Sequence, residues 1–307
     1  MMQKITDKII TSLMRALIAV VGAMPPRRAS DFGGALARAI GPLFPPSKIA
    51  LANLAAAMPE LDEAARQKIL RGVWENLGRT VAEMPHLAAI PRDSTSGPGL
   101  IIKNQDIVTA LQAQKKPMIL FSAHFGNWEV AVRATSEVGL RPNGLIYRAA
   151  QNQAFDLVLL ELRDKISGLG TKWFPKGAGG ARAAMALLKS GGTLLMLADQ
   201  KMNDGIEARF FNLPAMSPSA LAAFALRFDA AVIPAACLRT GPARIEITIE
   251  NPLSVPRTGN HGADVLALTQ AVNDRYETWI RAHPEQWLWL HRRWPNDVVK
   301  LAPKNKK

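Results

Sequence analysis

Downstream of residue 98 the chain alternates short apolar runs with segments of helical periodicity, and this alternation restricts the possible folds strongly. The apolar runs have lengths typical of strands and cover residues 100–103, 118–122, 144–147, 171–174, 193–198, 231–237 and 244–249. The helical segments cover residues 106–114, 128–138, 154–167, 181–189, 218–228 and 263–281. Because strands that alternate with helices build βαβ units, we predict an α/β fold with a mixed, largely parallel sheet flanked by helices.

The first 90 residues differ, since they contain helical segments (34–43, 47–58 and 61–87) separated by prolines. Residues 9–24 are amphipathic, with apolar side chains at Ile10, Leu13, Met14, Leu17, Ile18, Val21 and Met24. A bilayer span needs about 20 apolar residues, so this shorter segment predicts an interfacial anchor or a tilted span. A secretory signal peptide and an ordinary core helix are the alternatives.

The amino-acid composition limits the kinds of partner that the chain could bind. The chain has 307 residues, enough to bury a full core, and its single cysteine, Cys237, excludes an intramolecular disulfide. The formal net charge of +13 indicates an anionic partner, which is nucleic acid, a membrane face, a phosphorylated substrate or an acidic protein. Charge alone does not choose among these partners.

Residues 124–129, which read HFGNWE, carry the strongest chemical signal. His124 follows a buried strand and a helix begins after Asn127, a good N-cap residue. If His124 lies on the turn, Glu129 can fold back and orient it as a general base. A buried histidine beside a capping glutamate is the alternative interpretation. Neither H-E-x-x-H nor a clustered set of His and Cys indicates zinc.

Further polar residues follow predicted strands, at the edge where α/β sheets bind ligands. Arg148 could clamp a phosphate or carboxylate, and Asn152 could bind a sugar hydroxyl. An arginine that caps a helix is the alternative for Arg148. Asp199 and Gln200 end the most apolar strand and are predicted to form a wall of the site.

The segment 283–294 contains three of the seven tryptophans, interspersed with histidine and arginine. Tryptophan beside arginine suits a membrane interface, and it also suits single-stranded nucleic acid, whose bases stack on indoles. A terminal helix packed on the core is the third interpretation.

Several of these motifs together resemble one family. Residues 124–129 resemble the H-x-x-x-x-D/E signature of the glycerolipid acyltransferase superfamily. From about residue 70 to 295 the chain resembles the late acyltransferases of lipid A biosynthesis, through HFGNWE, Tyr147-Arg148 with Asn152, Asp199-Gln200, Phe210-Phe211, Ile233-Pro234 and the PEQ-W-LW-HRRW ending. The chain departs from that family at Asn212 and Ala198, where glycine is usual, and at Ser217, where threonine is common.

The resemblance implies an enzyme on the cytoplasmic face of the inner membrane. It would transfer an acyl chain from acyl carrier protein to a hydroxyl of a lipid A precursor, with no metal or diffusible cofactor and no nucleic acid partner. His124 would be the general base oriented by Glu129, and backbone N–H groups near Asn127 would stabilise the oxyanion. The implied substrate-binding residues are Asn127, Arg148, Asn152, Asp199 and Gln200.

The domain organisation follows from these predictions. Residues 1–27 are the anchor, 28–295 the acyltransferase domain (a helical part 28–90 and an α/β core 99–295), and 296–307 a basic tail. Two alternatives stay open for function. One is the same chemistry on another glycolipid or phospholipid, such as a mannosylated or ornithine-type lipid. The other is a basic, non-enzymatic protein that binds membrane or nucleic acid.

Overall fold

The computed structural model describes residues 2–140, 142–147, 149, 152–168 and 170–300, so most of the predicted basic tail lies outside the described residues. The N-terminal part is helical and contains α1 (Met2–Gly22), α2 (Pro26–Ile40), α3 (Pro46–Ala57) and α4 (Glu63–Glu83). Prolines stand in the first turn of α2 and α3, where a missing N–H costs nothing, and Asp62 caps α4 by accepting the Ala65 N–H.

Strands and helices then alternate, as the sequence predicts. The first half of this region contains β1 (Gly99–Lys103), α5 (Gln105–Ala113), β2 (Met118–Ser122), α6 (Ala131–Glu137), β3 (Asn143–Tyr147), α7 (Gln153–Ser167), β4 (Thr171–Pro175) and α8 (Ala178–Lys189). The second half contains β5 (Thr193–Leu197), β6 (Ile206–Phe210), β7 (Leu213–Ser217), α9 (Ala220–Phe228), β8 (Ala231–Gly241), β9 (Arg244–Ile249) and α10 (His261–Ala282).

Within the described residues, one seven-stranded sheet has the order β1-β9-β8-β2-β5-β3-β4. Every neighbouring pair is parallel except β8 and β9, which are antiparallel. The predicted mixed, largely parallel sheet is therefore confirmed. All five residues of β2 are buried, as expected for a central strand that helices cover on both faces.

A small hairpin formed by β6 and β7 was not predicted from the sequence. Its two-residue turn consists of Phe211 and Asn212, which have φ values of 52° and 58°. Hairpin turns of this kind usually carry Asn-Gly or Asp-Gly, so Phe-Asn gives no recognisable signal. The positive φ also explains why a glycine would suit position 212, where this chain has an asparagine instead.

Helices α2 and α4 cross at a pair of glycines. A Cβ atom on Gly78 would lie 2.2 Å from the carbonyl oxygen of Gly33, and one on Gly33 would lie 2.6 Å from that of Gly78. The two backbones can approach this closely only because neither residue has a side chain. The contact fixes the N-terminal helices to α4, which in turn supplies residues to the site.

Helix α1 presents apolar residues in two directions. Met14, Ile18 and Val21 are half-buried, on a helix that packs against α7 and the turn at Met84–His86. Leu13 and Leu17, which were predicted on the same face, are exposed instead. In the part of the chain that the structure describes, no helix combines the length and the apolar character needed to cross a bilayer. Membrane association of this segment stays a prediction.

The tryptophan-rich C-terminal segment is neither a helix nor a surface element. After a short 3₁₀ turn at Pro284–Gln286 it runs irregularly through the core. Its tryptophans Trp287, Trp289 and Trp294 are 1%, 0% and 2% exposed. Their burial leaves no indole face for a nucleic acid base or a lipid headgroup, so both surface interpretations of these three residues are wrong.

Candidate active site

His124 and Asp199 meet because they follow neighbouring parallel strands. In the register of β2 and β5, Ser122 lies opposite Leu197. His124 and Asp199 each come two residues later, at the carboxyl edge of the sheet, where α/β proteins bind ligands. The sequence prediction that both residues lie at this edge is confirmed. The predicted substrate contact of Asp199 is corrected, because its side chain is fully buried and bound inside the protein.

The Asp199 carboxylate binds His124 through both oxygens. Its Oδ1 lies 2.8 Å from His124 Nδ1, and its Oδ2 accepts the His124 backbone N–H at 3.0 Å. The indole N–H of Trp287 also donates to Oδ2, at 2.8 Å. Because Asp199 is fully buried and accepts the Nδ1 proton, the neutral imidazole keeps its other nitrogen, Nε2, free of hydrogen.

The electrostatics of the pair agree with this geometry. Burial disfavours the protonated form of His124, but the Asp199 carboxylate outweighs it, so the pKa of His124 is raised above its usual value of 6.5. Burial acts to raise the pKa of Asp199, but His124 and the Trp287 indole outweigh it and hold that pKa well below its usual range. Asp199 is therefore a permanent carboxylate, and His124 is the group that gains and loses a proton.

Glu129 has a different partner from the one predicted. Arg163 on α7 donates two hydrogen bonds to the Glu129 carboxylate, from Nε to Oε2 at 2.9 Å and from Nη2 to Oε1 at 2.7 Å. The Trp128 indole N–H donates to the same carboxylate at 3.2 Å. Asp199 holds His124 Nδ1, so the expectation that Glu129 orients the imidazole is corrected. Glu129 still acts on His124 electrostatically, favouring its protonated form.

Gly126 makes the turn after His124 possible. Its φ is +58°, and a Cβ atom there would lie 1.8 Å from the carbonyl oxygen of Cys237 on β8. No side chain fits in that space. The Gly126 N–H donates to the Gln286 carbonyl at 2.9 Å, and its own carbonyl accepts from Asn76 at 2.9 Å. The C-terminal segment and α4 therefore hold the turn from two sides.

Cys237 itself takes no part in chemistry at this turn. It is fully buried, and burial raises the pKa of its thiol to about 12, so the thiolate does not form at neutral pH.

Asn127 is a structural residue in this turn. Its side chain is fully buried, its Oδ1 accepts the Glu129 N–H at 3.2 Å, and its Nδ2 donates to Glu83 at 2.7 Å. The predicted N-cap is confirmed, whereas the predicted substrate contact is wrong because both polar atoms are bound inside the protein. The N–H groups of Glu129 and Val130 both donate to Asn127, so neither can serve the predicted oxyanion site.

Glu83 is the centre of a buried ion pair behind the turn. It is fully buried and pairs with Arg239, and it also accepts the Ser30 hydroxyl at 2.6 Å. Arg239 donates to Asn76 at 2.8 Å and to Thr80 at 2.9 Å. The network links α2, α4 and β8 to the back of the histidine turn. Removal of either partner of a buried ion pair leaves an uncompensated charge and costs about 3–5 kcal/mol.

A cavity of about 620 Å³ opens in front of His124. The polar side chains of its lining include those of His124, Glu129, Arg163, Lys176, Gln200, Lys201 and Asp204. The apolar side chains of its lining include those of Val132, Leu145, Ile146, Trp173, Met196, Leu197 and Phe224. The volume is that of a small-molecule site, and a lining with both kinds of side chain suits a ligand that has a polar part and a hydrocarbon part.

The other predicted residues have separate positions. Gln200 lines the cavity, with its amide nitrogen 3.4 Å from His124 Nε2. Asn152 caps α7 by accepting the Phe155 N–H at 2.9 Å, and its predicted sugar contact stays a prediction. Arg148 lies outside the described residues. Among the described residues, no cluster of three or more His, Cys, Asp and Glu side chains could hold a metal ion.

Three residues of the site were missed from the sequence. Arg163 lies within an ordinary helical segment, where one arginine gives no signal. Glu83 is an isolated glutamate near the end of α4, and its burial follows only from tertiary packing. Trp287 was noticed for its tryptophan neighbours, but its contact with Asp199 joins residues 88 positions apart.

The chain is similar to one known protein family and to proteins of Mycobacterium tuberculosis. A family model described as bacterial lipid A biosynthesis acyltransferase matches residues 2–296 of the chain. A phosphatidylinositol mannoside acyltransferase of Mycobacterium tuberculosis is 24% identical over 253 residues, which cover 80% of this chain and 76% of that protein. A protein of the same name from a second strain is 25% identical over 204 residues, covering 64% and 61%.

Proposed function

Because the chain belongs to the bacterial lipid A biosynthesis acyltransferase family, we propose that it transfers a fatty acyl chain from acyl carrier protein to a hydroxyl of a lipid A precursor. The observation that carries the proposal is the His124–Asp199 pair, held at 2.8 Å beside a cavity whose lining is partly polar and partly apolar. The pair provides a base and the cavity provides room for an acyl chain.

The proposed reaction begins with proton transfer. His124 Nε2 takes the proton of the acceptor hydroxyl as the oxygen attacks the thioester carbonyl. Asp199 keeps the Nδ1 proton in place and favours the imidazolium that forms. The tetrahedral intermediate then expels the thiolate of the carrier, which recovers the proton from His124. The products are the new ester and the free thiol, so atoms and charges balance.

The oxyanion needs a hydrogen-bond donor in the cavity. We assign this position to the Gln200 amide, whose nitrogen lies 3.4 Å from His124 Nε2 and which lines the cavity. Glu129 and Arg163 also line the cavity, where they form an ion pair.

The direct test uses membranes that contain the protein, a tetra-acylated lipid A precursor and acyl carrier protein loaded with chains of several lengths. Mass spectrometry reads the product of the wild type and of His124→Ala. We expect an added acyl mass in the wild type that is absent from the variant. An equal yield from both proteins would refute the assignment of His124 as the base.

A mannosylated acceptor is the second candidate, because the similar mycobacterial proteins are named for phosphatidylinositol mannosides. The same assay with such a lipid in place of the precursor separates the two acceptors. Acylation of the mannoside alone would assign the chemistry to that glycolipid and overturn the lipid A precursor as acceptor.

We also propose that the protein acts at the inner membrane, on its cytoplasmic face. The support is a set of apolar side chains that are between 43% and 83% exposed: Leu13, Leu17, Val20, Phe32, Leu36, Ile40, Leu43 and Phe44. Those of α1 repeat at three- and four-residue spacing and those of α2 at four-residue spacing, so each helix has an apolar outer stripe. Arg27 and Arg28, exposed at the start of α2, suit an anionic lipid surface.

Vesicle flotation tests this membrane proposal. Leu17→Asn combined with Leu36→Asn should reduce the fraction of protein that floats with phosphatidylglycerol vesicles. Leu266→Asn, at an exposed leucine on α10, is the matched control and should float as the wild type does. Equal flotation of all three proteins would contradict the proposed surface.

The acidic carrier protein fits the net charge of +13. Opposite charges raise the rate of encounter, and at physiological ionic strength salt screens charges that lie more than about 8 Å apart. The KM for the carrier-bound donor should therefore rise with ionic strength while kcat changes little. A KM that is independent of salt would refute electrostatic recruitment of the carrier.

A further inference from the structure

The buried tryptophans of the C-terminal segment each donate an indole hydrogen bond. Trp289 donates to the Pro284 carbonyl at 2.8 Å and Trp294 to the Phe210 carbonyl at 3.2 Å. Trp287 donates to Asp199 Oδ2 at 2.8 Å. Two of these bonds end on backbone atoms, which packing already fixes. The third ends on a side-chain carboxylate that can rotate, so it has a different consequence.

The backbone around Trp287 also lies directly on the histidine turn. The Leu288 N–H donates to the His124 carbonyl at 3.0 Å, and the Gly126 N–H donates to the Gln286 carbonyl at 2.9 Å. Phe125 and Trp287 form an antiparallel bridge between these two bonds. The backbone of Trp287 is therefore held in register with that of His124, and its buried indole lies next to Asp199.

Asp199 depends on this indole because it is sealed from solvent. Its side chain is fully buried, so no bulk water can replace a lost donor. The Oδ2 atom accepts from the His124 N–H and from Trp287, while Oδ1 is left to face His124 Nδ1. Two donors on Oδ2 fix the rotation of the carboxylate and thereby aim Oδ1 at the imidazole.

We propose that Trp287 is a positioning residue for the reaction, which acts by locking the Asp199 carboxylate in the rotation that keeps the proton of His124 on Nδ1. The proposal deepens the proposed function and rests on His124 being the base. Trp287 contacts neither substrate nor reacting atoms in this scheme. The C-terminal segment thus orients Asp199 at the site in addition to packing in the core.

The charges around the pair are the same with or without the indole hydrogen. Glu129 and Arg163 act on His124 from the cavity side. The electrostatic neighbours of Asp199 on the core side are His291, Arg293 and Tyr276. Burial lowers the pKa of His291 to about 4, so it is neutral at pH 7. An effect of a Trp287 substitution on the position of the His124 proton can therefore be attributed to the hydrogen bond between His124 and Asp199.

The test compares Trp287→Phe with Trp289→Phe. Both substitutions remove one buried indole N–H and keep an aromatic ring, and both residues lie in one aromatic cluster with ring centroids 4.7 Å apart. Loss of outer hydrogen-bond partners of metal-bound histidines costs about 10- to 100-fold, and we expect a fall in kcat of that order for Trp287→Phe, with KM unchanged. Trp289→Phe should keep the kcat of the wild type.

A second readout needs no substrate. Nitrogen-15 labelling of histidine reports the tautomer of His124, which should have its proton on Nδ1 in the wild type and in Trp289→Phe. In Trp287→Phe the two tautomers should mix. If packing loss destabilises Trp287→Phe more than its control, a benzothienylalanine at position 287 removes the N–H and keeps the indole shape.

The outcomes separate the two proposals. An unchanged His124 tautomer in both Trp287 variants would overturn the positioning assignment, whether or not acyl transfer is observed. Mixed tautomers together with a wild type that transfers no acyl chain would overturn the proposed function and leave the positioning contact established. Equal kcat in Trp287→Phe and Trp289→Phe would also overturn the assignment.

Discussion

Replacement of Asp199 by asparagine is the most informative single change at this site. The carboxylate uses two oxygens to accept three N–H donors, two of them on Oδ2. An asparagine amide has the same shape but a single acceptor oxygen. That oxygen should take the Oδ2 position, where the His124 backbone N–H and the Trp287 indole converge. The amide NH₂ then points at His124 Nδ1.

An NH₂ group at this position reverses the tautomer. Nδ1 must accept the new hydrogen bond, so the ring proton moves to Nε2, the atom that has to remove the proton of the acceptor hydroxyl. The same substitution in the serine protease triad costs about 10⁴-fold in kcat through the wrong tautomer. For Asp199→Asn we expect a loss of about 10³- to 10⁴-fold, which corresponds to about 4 to 5.5 kcal/mol in activation free energy.

The assay is the initial rate of acyl transfer, measured with saturating donor and acceptor. Thermal melting of the same preparation checks that the fold is intact. Removal of the carboxylate should also lower the pKa of His124, so the acid limb of the residual rate should move to lower pH. Retention of more than about a tenth of the wild-type kcat would refute the tautomer argument.

The remaining predictions address other parts of the site. In Gly126→Ala the new Cβ would lie 1.8 Å from the Cys237 carbonyl at a positive φ, so denaturant unfolding should show a loss of at least about 1–3 kcal/mol; unchanged stability would contradict the geometry of the turn. Glu129→Gln should weaken the contact with Arg163 and lower kcat less than Asp199→Asn does, and a larger loss would restore Glu129 as the orienting residue. Because the neutral imidazole is the base and the pKa of His124 is raised, kcat/KM should rise with pH through a midpoint above 6.5; a midpoint below 6.5 would show that Asp199 does not control the titration.

Much of the fold could be predicted because the strands are short, apolar and bounded by turn residues. The strands β1 to β5, β8 and β9 all coincide with predicted runs to within a few residues. The hairpin at Ile206–Ser217 was missed because Phe211 and Asn212 form an unusual turn. Three interpretations stayed open for the C-terminal segment. Packing on the core was right about its burial and wrong about its being a helix, because the environment of its tryptophans depends on tertiary packing.

The site was predictable where topology alone brings residues together. His124 and Asp199 both follow predicted strands, and parallel strands end at one edge of a sheet, so their proximity could be expected. The hydrogen bond between them could not, because strand order is invisible in the sequence. The spacing in the sequence favoured Glu129 as the partner of His124. In the structure Glu129 binds Arg163 instead, and no local sequence pattern reveals where Arg163 lies in the fold.

The base of this site is held by chain segments that lie far apart in the sequence. Asn76 and Glu83 of α4, Arg239 of β8 and the backbone at Gln286 all bind the turn that follows His124 or its neighbours. Helix α4 belongs to the N-terminal helical part, and Gln286 comes almost 50 residues after Arg239. Loss of one of these direct contacts is therefore expected to disturb the histidine turn. The helical part supports the turn without lining the cavity, and a fragment that begins at residue 99 would lose the polar groups that fix the turn, even though it retains both His124 and Asp199.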